Sequence, residues 1–539
     1  MSEALRGERM SGVRDVVVIG GGVAGLVAAR ECARVGLSVT VLEAGTDLGG
    51  ALASHEVAGL TLDSGAESFA VRRNAVAEFI EGLGLSDRVV QPNPAGAWLY
   101  LPSERPGGAP VSAPMPRAGV LGIPGSPLAE DVRRVIGWSG AMRAWLDRLM
   151  PVLTIGREHS LGELVRKRMG RRVLERLVEP VTAGVYTSSA DDLEVDVVAP
   201  GLNAALTVTG SLSGAVLSLR SAAPAGSAVA GLRGGMAGLV AALRSELDRF
   251  DVEVVTEAVV TRIRPTPAEP WQVTIAPRPE APEEPGTSGT PDAAEAQHPA
   301  ETQHPVQAPH APVPQAATAG PGDLEAGDLP ETLSARFVIL ATPGAQALAL
   351  IAPLGPQQKA LGALHWPKPT PIELATLVLA APELDTHPRG TGVLVAAGAP
   401  GVTAKALTHV TAKWDWVAAE AGPGVHVLRL SYGRAGKKNP GALLTDDEFL
   451  ALALADASAI LGTPLSAGQL LGFDRTRWGD ALSPATVGAR DRVDQVRRAV
   501  AALEGLEVTG AWLSGTGLAS VIPDALATAG RTRRDALVH

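Results

Sequence analysis

Two hydrophobic periods alternate along this chain, and one long stretch carries neither. Val16-Val17-Val18-Ile19 is a β-branched run too apolar for a half-exposed strand and suited to a buried parallel one. After a glycine run, Leu26, Ala29, Cys32 and Ala33 share one face of a helix that stops at Gly36, and residues 38–42 read as a second strand. Residues 60–63 look like a short strand and 75–83 like a short amphipathic helix. The region 75–220 reads as mainly helical with loops, with 93–127 rich in Gly and Pro. Residues 160–177 fit a single helix, with Leu161, Leu164, Val165, Met169, Val173 and Leu177 inward. Its other side carries Arg166, Lys167, Arg168, Arg171, Arg172 and Arg176, a solvated basic face or a contact for an anionic surface. Leu239, Leu243 and Leu247 mark another helix, and 252–255, 259–263 and 335–340 read as strands. Between 355 and 475, strand-like runs at 373–379, 392–395, 406–411 and 425–431 suit an antiparallel sheet walling a cavity. Residues 506–513 read as a last strand, followed by a glycine turn and a helix through Ala529.

The glycine run at the end of the first strand carries the chemistry. Gly20, Gly22 and Gly25 fit G-x-G-x-x-G, with Val23 and Ala24 opening the helix. Gly20 permits the tight turn, Gly22 lets a pyrophosphate approach the backbone, and Gly25 lets helix and strand pack closely. The helix N-terminus offers N–H groups and partial positive charge to that pyrophosphate. The second strand delivers Glu43, beside Ala44, where a carboxylate can accept both hydroxyls of a ribose and would repel a 2′-phosphate. Gly49-Gly50, before Ala51, lets the chain pass close to something bulky, and Gly65-Ala66-Glu67-Ser68 makes another small-residue approach. That layout suits a two-nucleotide cofactor, more like FAD than NAD. Near the end, Gly515-Thr516-Gly517-Leu518-Ala519-Ser520-Val521 feeds a second helix N-terminus that can stabilise negative charge developing on a flavin.

Composition bounds the rest. At 539 residues the length implies several domains. A net charge of −10 argues against nucleic-acid binding. Cys32 is the only cysteine, which excludes an internal disulfide and a cysteine metal site and reads as a small buried hydrophobe. The first residues, MSEALRGERMSGVR, are charged without an apolar signal core. The longest uncharged stretch, 197–219, is broken by Pro200, Asn203 and several Gly, Ser and Thr, a poor membrane span. We therefore expect a cytoplasmic protein, with at most peripheral membrane contact. Residues 277–330 are dense in Pro, Ala, Glu, Gln and Gly, a composition that cannot bury enough apolar surface to fold, and read as a disordered insertion. His298, His304 and His310 inside it read as a solvated tract rather than a metal site, and no metal is expected.

Leu48-Gly49-Gly50 followed by Asp63-x-Gly65-Ala66-Glu67-Ser68-Phe69 and an arginine resembles the flavin amine oxidase superfamily, specifically its oxygen-dependent porphyrinogen oxidases. Further segments extend the resemblance. Pro180 to Tyr186 is similar to the family's P-x-x-x-G-V-Y, Gly231 to Met236 to its return into the flavin domain, and Lys413-Trp414 to its K-W pair. Ala341-Thr342-Pro343 resembles the strand end closing the flavin domain, and Arg477-Trp478 through Pro484 its R-W-x-x-A-L-P, with Ser483 inserted. The superfamily commonly has arginine after Gly-Gly; this chain has Ala51, which leaves phosphate neutralisation to backbone N–H groups. The resemblance implies an α/β protein: a Rossmann-type FAD-binding domain of discontinuous segments (13–90, 225–264, 334–350 and 475–535), a helical domain (91–224) and a mixed-sheet substrate domain (351–474). It implies that Val260 holds the adenine end through its backbone and that Trp414 contributes to the cofactor site. It also implies oxidation of coproporphyrinogen III to coproporphyrin III with O₂ as acceptor and H₂O₂ released. The alternatives are protoporphyrinogen IX as substrate, another oxidoreductase of the superfamily, or a non-catalytic flavoprotein scaffold. Three tyrosines disfavour the aromatic cage of an amine oxidase. Arg72 and Arg73 are the candidates to meet substrate propionates. No side chain stands out as a catalytic acid or base, and the oligomeric state is left open.

Overall fold

The computed structural model describes residues 13–71, 75–117, 119–151, 158–221, 229–267, 271–276, 332–364, 366–367, 370–436, 439–479 and 485–538. Arg72, Arg73, the 277–330 tract with its three histidines, and Asp480 to Pro484 lie outside the described residues.

The chain enters through β1 (Arg14–Ile19), whose last four residues are wholly buried, as a parallel strand covered on both faces must be. Helix α1 (Val23–Ala33) follows, then β2 (Val39–Leu42), which pairs parallel to β1. A hairpin, β3 (Ser54–Val57) and β4 (Leu60–Asp63), leads away from the sheet. The chain returns through α2 (Ala237–Arg249), β5 (Glu253–Val255), β6 (Val260–Pro265), β7 (Trp271–Ile275) and β8 (Thr332–Leu340). It comes back once more as β9 (Leu506–Val508) and α3 (Leu518–Val538). The sheet order is β5-β2-β1-β8-β7-β6, with β9 beside the second half of β8. β5, β2, β1, β8 and β9 run parallel, while β7 and β6 are antiparallel additions.

Every residue of α1 is buried, because the sheet, α2 and α3 enclose it. Leu26 and Val27, both fully buried, each contribute roughly 1.5–3 kcal/mol. Cys32 is fully buried among them, and burial pushes its thiol up to about 12. The two charges the helix carries inward are matched: Arg30 reaches Glu31 and Glu246, and Glu31 also meets Arg533.

A second seven-stranded sheet takes the order Leu470–Trp478, Ile372–Ala380, Val425–Tyr432, Ala406–His409, Gly392–Val395, Ala97–Leu101, Val111–Pro114. All neighbours are antiparallel except Gly392–Val395 with Ala97–Leu101, which makes the sheet mixed. The region 75–220 is thus less helical than its pattern predicts. Ala-Trp-Leu-Tyr-Leu at 97–101 is a strand because its apolar run finds a partner almost three hundred residues away. The Asp446–Leu461 helix covers one face through Phe449, Ala453, Ala457 and Ile460. Helices between 130 and 221 form a separate core around Val135, Leu164, Val173 and Leu202.

Three boundaries differ from the sequence pattern. The expected 160–177 helix breaks at Gly170 (φ 89°), and the chain resumes through a wide π-type turn, Leu174–Val178. Its cations are largely spoken for: Arg168 is buried on Asp147, Arg166 pairs with Asp191, and Arg176 donates to the carbonyls of Val135 and Pro102. Pro180, expected as a helix stop, sits in the first turn of Glu179–Val185, where its missing N–H costs nothing. The 506–513 run is a strand only to Val508; Gly510 (φ 128°) turns it into one helical turn, Ala511–Ser514. Among the described residues no single helix is long and apolar enough to cross a membrane, and Leu202–Thr209 with Leu212–Arg220 passes only as a pair bent by 117°.

Candidate functional site: a glycine crevice beside a charged junction

β1, β2 and β8 end side by side at their carboxyl ends, where an open α/β sheet leaves a crevice. Gly20 leaves β1 at φ 109°, and a Cβ there would lie 2.8 Å from the Ala341 carbonyl carbon. A Cβ on Gly25 would lie 1.9 Å from the Gly20 carbonyl oxygen, so only glycine lets α1 start this close to the strand. Gly22 is the opposite case. A Cβ there would meet nothing within 4 Å, and no side chain caps α1, so the helix start faces open space. Glu43 ends β2 beside this turn: Oε2 accepts the Gly21 N–H (2.6 Å) and Oε1 the Gly45 N–H (2.8 Å). Each oxygen keeps a lone pair for a hydroxyl. Ala44 is exposed next to it.

The other candidate segments converge here. Gly49 pairs with Gly22 in an isolated parallel bridge, and its N–H donates to the Gly21 carbonyl at 2.9 Å. The Ala51 carbonyl accepts the Ala66 N–H at 3.0 Å, and a Cβ on Gly65 would lie 2.1 Å from that same oxygen. Gly50 faces Gly22, with no other atom near its missing side chain. Thr342, at the end of β8, has a buried hydroxyl with no partner. Ala258, two residues before Val260, donates to the Glu43 carbonyl, which brings the start of β6 to the same crevice. Gly515 (φ 99°) and Gly517 (φ 132°) precede α3, and Leu518 and Val521 pack into the core that holds α1. An uncapped helix start, an acid held beside it and an orphaned hydroxyl fit the pyrophosphate and ribose of a dinucleotide.

Glu67 and Trp414 lie elsewhere, at the junction between the β4–Ser68 loop and the second sheet. Trp414 is buried against Gly231 and among Val57, Leu62, Val378, Val410, Val417 and Val427. Glu67 is buried between Lys413 Nζ, which donates to Oε1, and Arg429, whose Nη2 lies 2.9 Å from Oε2. Burial alone would raise Glu67, but Arg429 and Lys413 outweigh it and hold the carboxyl down to about 2. Asp63 goes the other way. Burial pushes it up to about 6, with the Met236 N–H (2.7 Å) and Arg429 offsetting only part of that. A cavity of about 20 Å³ between these groups holds a water at most, so it is no place for a tetrapyrrole. Ser68 follows on the same loop, half-buried.

Sequence reasoning missed Asp63, Lys413 and Arg429 as members of this junction. Asp63 and Lys413 stand inside quoted motifs, and Arg429 had a signal of its own: a cation in the apolar strand Val-His-Val-Leu-Arg-Leu-Ser. An arginine in a buried strand must have a partner.

Residues 23–278 match the family model described as flavin containing amine oxidoreductase. Along nearly its whole length the chain is similar to a coproporphyrinogen III oxidase of Mycobacterium leprae, 27% identical over 523 residues, covering 96% of this chain and 97% of the relative. A coproporphyrinogen III oxidase of Bacillus subtilis is 25% identical over 537 residues, covering 98% and 99%. The fold is shared with a crystal structure from Exiguobacterium sp. 255-15 at a TM-score of 0.72 and 24% identity, covering 98% of this chain and 100% of that one. With a dinucleotide crevice at the head of the matched region, the chain is an FAD-dependent enzyme similar to the flavin containing amine oxidoreductases.

Proposed function

We propose that the protein oxidises coproporphyrinogen III to coproporphyrin III, with O₂ as the terminal acceptor and H₂O₂ as its product. The observation that carries this reading is relatedness over both whole chains to two coproporphyrinogen III oxidases, which leaves no domain of either unaccounted for. Bound FAD supplies the hydride acceptor. Six hydrogens leave the macrocycle in three two-electron rounds, each round reducing one O₂ to H₂O₂.

The chain's own residues bind and position. Gly20, Gly22, Val23, Ala24 and Gly25 take the pyrophosphate, Glu43 the ribose, Val260 the adenine end, and Thr342 offers its unpartnered hydroxyl. The positive end of α3 behind Gly515 and Gly517 favours negative charge on the reduced ring. The second sheet walls the substrate side, and Arg72 and Arg73 meet propionates. Four propionates rather than two favour a cationic mouth, hence coproporphyrinogen III over protoporphyrinogen IX.

Anaerobic addition of each porphyrinogen, followed by initial rates in air, tests this. We expect the flavin to bleach, kcat/KM to be higher on coproporphyrinogen III, and R72A with R73A together to erode the preference. Faster turnover of protoporphyrinogen IX overturns the substrate, and no bleaching by either overturns the reaction.

A further inference from the structure

The junction tied to the glycine crevice through Ala66 has an uneven division of charge. Both of its acids lie where β4 runs out toward the crevice, Asp63 as the last residue of the strand and Glu67 on the loop that follows. Both of its cations, Lys413 and Arg429, come from the second sheet and the turn that follows Ala406–His409. Arg429 does most of the joining. Its Nη1 donates to the carbonyls of Asp63 (2.9 Å) and Gly65 (3.0 Å), and its Nη2 lies against Glu67. The side chains of Arg429, Glu67 and Lys413 are all nearly buried, at 13%, 11% and 16% exposure. At such exposure an unmatched charge is costly, so each half of the junction needs the other.

The geometry also requires a guanidinium. Two backbone carbonyls and a carboxylate on one cation call for a planar fork with donors in fixed directions, which an ammonium cannot present. The clamped carbonyls belong to the residues just before Ala66, whose N–H is tied to Ala51 in the glycine crevice. The sheet that walls the substrate side therefore grips the loop that reaches the cofactor side.

We propose that Arg429 is a positioning residue for the flavin: it sets the 63–68 loop from the substrate sheet, so that seating of the cofactor and docking of that sheet form one equilibrium. This rests on the Gly65 to Ser68 loop touching FAD and is independent of which porphyrinogen is oxidised.

The test uses purified holoenzyme of R429M and R429K beside R531M, which breaks the Arg531–Glu507 ion pair between α3 and β9, outside the junction. FAD affinity is read by flavin-fluorescence titration of the apoproteins, together with the visible flavin spectrum and the melting temperature. We expect both Arg429 variants to bind FAD about tenfold more weakly and to shift the flavin bands, since the fork and not the charge does the holding. R531M should lower the melting temperature without either change. Wild-type affinity and spectrum in R429M, full rescue by R429K, or the same losses in R531M would each overturn the proposal. Should R429M not fold, E67Q removes the carboxylate that meets Arg429 and Lys413 at constant size. It is expected to weaken FAD binding in the same direction, and unchanged FAD binding in that variant counts against the proposal equally.

Discussion

The glycine crevice and the charged junction are tied together by one loop, residues 63–68, yet they are built on different principles. The crevice is almost all backbone: Gly20, Gly22 and Gly25 act through what they lack, and Glu43 adds a side chain that accepts the Gly21 N–H. The junction is all side chain: Asp63, Glu67, Lys413 and Arg429 meet across more than three hundred residues and are balanced only as a set. A backbone cradle fails when an atom is added, either in its own packing as at Gly25 or in the space of its ligand as at Gly22, whereas a buried charge set fails when one is removed. Substitutions should therefore fail in opposite ways in the two regions.

The largest expected effect separates two glycines of the same motif. Gly25→Ala drives a methyl to within 1.9 Å of the Gly20 carbonyl oxygen and should cost several kcal/mol, lowering the melting temperature even of apoprotein. Gly22→Ala meets nothing in the protein and should leave apoprotein stability within about 1 kcal/mol while impairing FAD binding. Equal behaviour of the two in melting and FAD titration would show that the crevice does not distinguish structural from ligand-facing glycines.

The next effect is the junction's response to acid. Glu67, held at about 2 against a usual 4.5, contributes stability that is fully present above pH 4.5 and is lost as pH falls toward 2. Asp63, raised to about 6 from 3.8, works with the opposite sign: the folded state takes up a proton between pH 6 and 3.8, which adds stability as pH falls through that window. Urea midpoints measured from pH 7 to 3 should show E67Q losing less on the acid side than wild type, by on the order of 3 kcal/mol or less. D63N should lack the opposing gain. Parallel curves for all three proteins would mean that the junction does not carry these protons.

The smallest expected effect lies outside both regions. β7 and β8 are antiparallel neighbours, with Thr274 opposite Thr332, so a short turn can replace residues 277–331. That deletion should change melting temperature and FAD affinity little. Loss of folded, FAD-loaded protein would give the tract a structural role that neither region predicts.

What the sequence determined by itself was local. β1, its glycine turn, α1, β2 and Glu43 could be read off because each constraint acts within a few residues: burial on both faces, a left-handed φ at Gly20, a helix start, an acid at the strand end. The same holds for β4, matched to the residue, and for Leu239, Leu243 and Leu247 on the inner face of α2. Tertiary structure alone decided the rest. Residues 97–101 became a strand because the Gly392–Val395 edge was there to pair with, and the 160–177 pattern broke at Gly170, where a Cβ would lie 2.9 Å from Arg143. Arg429 found its role only when the second sheet met the β4 loop. Periodicity records which side of an element faces inward, but a buried charge is settled by the partner that arrives from elsewhere, and no local pattern encodes that partner.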